Sequence, residues 1–245
     1  MRKGLRCLMV LAALMLAGCS GQKQLSGSGQ IRLQLGLIYL SQGELPAARR
    51  NLQRALQDAP EDYRVLLAMA RLYQQENDSA MARRYFQTAL KYAPENDYAL
   101  NNYGAFLCGL GQYDAAHQQF TLAAVRNSAV ARADSQERAG YCWLQQKEYA
   151  SARQMLLQAL QNDRHKADTL LSEAKKHLEK HELEQVRLLL EVYHHSVPAT
   201  AESLWLEIRF AALEQRTVDK ARYGQQLAQN FPQSIQYQHF LANEY

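Results

Sequence analysis

One pattern returns three times in succession at a period of 34 residues, and that leaves this chain few folds to choose from. The first copy reads Leu35, Gly36, Tyr39, Ala48, Leu52, Ala55 and Pro60. One period later stand Met69, Ala70, Tyr73, Ala82, Phe86, Ala89 and Pro94. The third copy is Tyr103, Gly104, Leu107, Ala116, Phe120 and Ala123, with Ser128 in place of the proline. Self-similarity at this length marks stacked supersecondary units, each too small to bury its own apolar face.

The spacing has a physical basis. Leu35 and Tyr39 lie four apart, on one face of a first helix. Leu52 and Ala55 line the facing stripe of a second. Gly36, Ala48 and Ala55 are small where the two helices cross. Pro60 cannot continue the second helix, and Gly43 and Gly111 sit in the turns, where glycine tolerates positive φ. This unit resembles the tetratricopeptide repeat. The pattern goes on after two extra residues, through Gly140, Trp143, Tyr149, Ala152, Leu156 and Ala159. A fifth copy runs through Ala174, His177, Leu183, Val186, Leu190, Tyr193 and Pro198. A sixth, around Trp205, Ile208, Ala212, Ala221 and Ala228, is ambiguous in register by one residue. Residues 234–245 read as a capping helix. The implied fold is all-α: a right-handed superhelical solenoid of about six repeats over residues 31–233, a surface for holding another protein.

The first residues follow another rule. Arg2, Lys3 and Arg6 precede an apolar run from Leu8 to Ala17, too short to span a bilayer. The run closes in Leu16-Ala17-Gly18-Cys19. This resembles the bacterial lipobox, which implies a signal peptide over 1–18 and lipid on Cys19; the blander alternatives are an ordinary signal peptide that happens to contain a cysteine, or an uncleaved anchor. Residues 19–30, with Ser26-Gly27-Ser28-Gly29, read as a flexible tether. Ser20 follows the cysteine, where an aspartate would retain such a protein at the inner membrane. The location implied is the outer membrane, lipid-anchored and facing the periplasm.

Composition then excludes several classes. The chain carries +4, but Arg2, Lys3 and Arg6 supply three of those charges, so the chain from Cys19 is near neutral. No basic stripe interleaved with aromatics supports nucleic-acid binding. His177 and His181 are four apart without an HExxH motif, and His177 falls on a packing position. Surface pairs such as Glu173 and Lys176 account for the carboxylates. No phosphate loop, CxxC pair or nucleophile elbow occurs, so no enzyme, cofactor, metal or small-molecule substrate is indicated. Cys7 lies in the signal and Cys19 at the lipidation site. Cys108 and Cys142 remain, in an oxidising compartment, on adjacent first helices. They form either a disulfide or two separate small core residues, and compartment and pairing favour the bridge.

The inner face of such an array is built from positions 2, 5, 9 and 12 of each first helix. In the first repeat these are Gln30, Leu33, Leu37 and Leu40; in the second, Arg64, Leu67, Arg71 and Gln74; in the third, Tyr98, Asn101, Ala105 and Cys108. Leu33, Leu37 and Leu40 make an i, i+4, i+7 stripe on a helix that is apolar nearly all round, a pattern that calls for cover on both faces. The reading is a protein-binding groove: Leu33, Leu37, Leu40 and Leu67 receive an apolar segment, and Arg71, Asn101 and Asn102 fix it by hydrogen bonds. Alternatively, the tether or the C-terminal segment folds back over the leucines. The Lys and Asn of a carboxylate clamp are absent at positions 5 and 9.

The run Leu100-Asn101-Asn102-Tyr103-Gly104-Ala105-Phe106-Leu107-Cys108 is more specific than the repeat consensus requires. With the lipobox, the short tether and the repeat number, it is similar to the type IV pilus biogenesis lipoproteins of the PilF/PilW family. The resemblance implies a pilotin: an outer-membrane-anchored adaptor that binds the pilus secretin subunit and promotes its localisation and multimerisation. The alternative is a lipoprotein scaffold of another envelope machine, such as BamD-like members of outer-membrane protein assembly.

Overall fold

The structure is a computed structural model that describes residues 25–125 and 128–245. The signal, the lipidation site and the first half of the tether lie outside the described residues. Among the described residues there are thirteen α-helices and no strand. They pair as six helical hairpins: α1 (Gly27–Ser41) with α2 (Leu45–Asp58), α3 (Tyr63–Gln75) with α4 (Ser79–Tyr92), and α5 (Asp97–Gly109) with α6 (Tyr113–Val125). The series continues with α7 (Ala129–Gln145) on α8 (Tyr149–Asn162), α9 (Lys166–Glu179) on α10 (Leu183–Ser196), and α11 (Ala201–Leu213) on α12 (Thr217–Asn230). A short α13 (Ile235–Leu241) closes the series against α11 and α12. Two compact units divide the chain: the first two hairpins, ending at Pro94, and the remaining four with α13, beginning at Glu95.

The same turn joins the helices of every hairpin. Gly43, Asn77, Gly111, Lys147, His181 and Gln215 all have positive φ, between 57° and 76°. Each sits in a Schellman motif. In the first, the Gly43 N–H donates to the Leu40 carbonyl and the Glu44 N–H to the Tyr39 carbonyl; in the last, the Gln215 and Arg216 N–H groups donate to Ala212 and Ala211. Successive left-handed residues therefore mark the register, including the two-residue insertion between Gly111 and Lys147.

That marker settles the sixth repeat. Counting back from Gln215 puts Ile208 where Gly36, Ala70, Gly104, Gly140 and Ala174 stand. The buried second-helix residues are Gly224 and Leu227, not Ala221 and Ala228. In the earlier repeats the small residue is on the first helix and a large one opposes it. A Cβ on Gly36 would lie 2.4 Å from Leu52 Cδ2, one on Gly104 2.7 Å from Phe120 Cε1, and one on Gly140 2.6 Å from Leu156 Cγ. In the sixth repeat the sizes exchange sides, Ile208 against Gly224, which hides the repeat from a consensus.

The tether is shorter than the composition indicates. Ser26 is the N-cap of α1, its Oγ accepting from the Gly29 N–H at 3.0 Å. Its own N–H donates to Asp58 Oδ2 at 2.8 Å. Leu25 is 6% exposed and joins the core of the first unit with Leu33. Serine and glycine here cap a helix and allow its close approach to Asp58, rather than supplying flexibility.

Candidate protein-binding surface

In the first unit the leucines of the expected groove are mostly consumed by packing. Leu33 and Leu40 are buried in one cluster with Leu52, Val65, Met69 and Leu72. Leu67 is also buried. Leu37 is half-buried and packs against the same cluster, and Arg71 is exposed. The expected open leucine stripe is therefore corrected: Leu33 and Leu40 turn towards α3, and Leu25 joins them. Of the five residues expected to hold the partner in this unit, Leu37 and Arg71 keep surface a partner can reach, beside the exposed groove positions Gln30, Arg64 and Gln74. The exposed apolar side of α1 is instead Ile31 and Ile38, at 58% and 50%.

The asparagines belong to the second unit, and their amide donors are used internally. Asn101 is buried, and its Nδ2 donates to Ser135 Oγ at 3.0 Å, tying α5 to α7. Its Oδ1 has no hydrogen-bond partner. Asn102 donates to the Tyr98 carbonyl of its own helix at 2.6 Å. Asn101 is thus a structural link rather than a free hydrogen-bonding residue, because its position faces the next first helix. A second link runs parallel to it. Cys108 on α5 and Cys142 on α7 are joined as a disulfide with Cα atoms 5.9 Å apart, inside the range such a bridge spans. Tyr98, half exposed at 51%, begins α5 on the groove side.

Two cavities in the second unit have no counterpart in the sequence reading. One, of about 600 Å³, opens between α6, α7 and α8 and is lined by His117, Phe120, Val125, Trp143 and Met155. The His117 and Trp143 rings stack in its wall at 3.7 Å, and burial lowers the His117 pKa. The other, of about 580 Å³, lies among α10, α11 and α12. Its floor holds Glu207, whose Oε1 is 3.5 Å from His194 Nε2. Burial pushes Glu207 up to about 7 against the opposing pull of Arg216, and burial pushes His194 down. Arg187 and Arg216 both lie over the Phe210 ring beside it, and both pair with Glu214. His177 and His181 do not form a pair: His177 Nδ1 meets Glu182, and His181 is a left-handed turn residue. Among the described residues no group of three or more His, Cys, Asp or Glu is arranged to hold a metal ion.

Stacked helical hairpins with these crossings and turns define a tetratricopeptide repeat scaffold. Family profiles described as tetratricopeptide repeat match residues 30–72, 63–96, 85–118 and 107–167. The chain is 30% identical to the type IV pilus assembly protein PilF of Pseudomonas aeruginosa, over 97% of this chain and 98% of that one. The solved structure of Pseudomonas aeruginosa PilF matches at a TM-score of 0.59 with 29% identity, covering 88% of this chain and 97% of that chain. PilW, described as a widely conserved type IV pilus biogenesis factor, shares the fold at a TM-score of 0.60 and 23% identity, covering 88% and 99%. The chain belongs to the PilF/PilW-type tetratricopeptide repeat family.

Proposed function

We propose that this protein is a pilotin, a non-catalytic adaptor of type IV pilus biogenesis. In this reading it is lipidated at Cys19, sits on the periplasmic side of the outer membrane, and holds a secretin subunit so that the subunit reaches the membrane and multimerises. The observation that carries it is the similarity to a type IV pilus assembly protein, which runs over 97% of this chain and 98% of that one. A helical-hairpin scaffold supports it, because such arrays present extended surfaces to a partner segment. Acyl chains on a terminal cysteine supply more than the two signals a stable anchor needs. The partner contacts assigned to the first unit are Leu37 and Arg71, the two of Leu33, Leu37, Leu40, Leu67 and Arg71 that packing leaves reachable.

The test is secretin multimerisation in a strain that lacks the protein and is complemented with variants. Arg71→Glu reverses an exposed charge without touching the core, so the far-ultraviolet circular dichroism should match the parent. Secretin multimers should fall about tenfold or more, as the loss of one charge-assisted contact predicts. Leu33→Glu serves as the contrast, since it breaks the core and should lower protein abundance. Mass spectrometry of the N-terminal peptide checks the anchor. Wild-type multimer levels with Arg71→Glu would move the binding surface elsewhere, and complementation with no effect on secretin at all would sink the pilotin reading.

A further inference from the structure

The outer side of α1 has no neighbour among the described residues, yet its residues are those that a neighbour would cover. Ile31, Leu35 and Ile38 follow one another at i, i+4 and i+7 on one helix face. One period later the same places hold Val65, Met69 and Leu72, which are 0%, 1% and 0% exposed within the same unit. In the first repeat, Ile31 and Ile38 remain 58% and 50% exposed. A terminal repeat normally turns a polar face outward for solubility. This one keeps isoleucine.

Its surroundings are basic. Between Leu25 and Ala59 the chain carries Arg32, Arg49, Arg50 and Arg54 against Glu44 and Asp58. Arg49 is committed to Glu76 of the next hairpin. Arg32 Nη1 donates to Asn51 Oδ1 at 3.0 Å, which places the Asn51 side of α2 beside α1. Arg54 stands one turn further along that side, and Arg50 and Arg54 are both exposed. Apolar side chains flanked by arginine are what an anionic bilayer surface binds.

Chain length supplies the remaining constraint. Six residue steps separate Cys19 from the packed Leu25, so an anchor at Cys19 holds the first repeat within about 20 Å of the lipid. We propose that this face of α1 docks on the phospholipid surface. Ile31 and Ile38 enter the headgroup–acyl boundary, and Arg32, Arg50 and Arg54 meet anionic headgroups. The proposal rests on the anchored reading above. It adds that the first repeat is seated against the bilayer, not merely tied to it.

The experiment installs the anchor chemically, so that it does not depend on acylation in the cell. In the chain from Cys19 to Tyr245 the bridged Cys108 and Cys142 leave Cys19 as the one free thiol. That thiol is coupled to a maleimide-headgroup lipid in vesicles of phosphatidylethanolamine and phosphatidylglycerol. Ile31→Trp then reports depth through quenching by brominated lipid, read against the parent chain with Trp143 and Trp205 alone. The expected result is quenching confined to the introduced indole, abolished by adding Ile38→Glu. For the uncoupled chain, partition onto the same vesicles should fall about fivefold with Arg54→Gln and vanish on phosphatidylcholine. A coupled Ile31→Trp chain whose emission is quenched no more than that of the parent overturns the proposal and leaves the face to a partner helix. The native anchor is judged separately, by acyl mass on Cys19.

Discussion

Glu207 is a residue whose chemistry departs far from its sequence context. It lies on α11, 7% exposed, at the floor of a cavity where His194 is its near neighbour. Its carboxyl titrates at about 7 when folded against 4.5 as its ordinary value, because burial penalises the charged form. A raised folded-state value means that the stability it contributes is complete below the unfolded value and is lost as pH rises through about 7. His194 runs the other way: its value is lowered by burial, so its contribution is lost as pH falls below its ordinary range. The two effects oppose each other. Glu207→Gln removes the titration and keeps the shape. The variant should match the parent near pH 4 and exceed it by up to about 3 kcal/mol at pH 8. Urea unfolding at the two pH values measures this; equal midpoint differences at both would mean that folding does not raise the Glu207 value.

At the scale of the element, the turns and the cross-link decide how well each hairpin is held. Every hairpin turn demands one left-handed residue, and glycine fills that place only at Gly43 and Gly111. Asn77 tolerates that backbone; Lys147, His181 and Gln215 do so at a cost of about 1 kcal/mol or more. Lys147→Gly should therefore stabilise the protein by about 1 kcal/mol, and Gly111→Ala should destabilise it by a similar amount, both read as shifts in thermal midpoint. An unchanged midpoint for Lys147→Gly would show that this turn relaxes out of the left-handed region. The disulfide acts on a larger loop. Cys108 and Cys142 enclose 34 residues of sequence separation, including the insertion that interrupts the period. Chain entropy assigns such a closure about 3–4 kcal/mol. Replacing both cysteines by serine should lower stability by that order while leaving helix content unchanged. Thiol counting on denatured native protein, with two free thiols at these positions, would remove the bridge from the account.

For the whole molecule, what is legible in the sequence and what is not have the same origin. The 34-residue period exposes five repeats because size alternates the same way at each crossing, as in Gly36 against Leu52 and Gly104 against Phe120. It blurs at the sixth because Ile208 and Gly224 exchange sizes, which conserves volume while breaking the pattern. The groove departs from expectation for a related reason. α1 is apolar on three sides, and periodicity alone cannot say which side a neighbour covers; packing draws Leu33 and Leu40 into the core and leaves Ile31 and Ile38 outside. The size exchange also explains how the array ends. With glycine at 224, the Phe240 ring of α13 can settle where a second-helix side chain would stand; a Cβ there would lie 2.1 Å from Phe240 Cζ. Phe240 and Tyr237 pack with Trp205 and Leu227, so α13 seals the apolar end that a following repeat would otherwise bury. Gly224→Ala should dislodge α13 and cost about 1–3 kcal/mol through overpacking. The C-terminal segment should then become the first site of proteolytic cleavage. Adding Phe240→Ala removes the clash, so the double variant should lose less than the two single losses combined. Strict additivity would show that glycine at 224 serves the helix itself and not the cap.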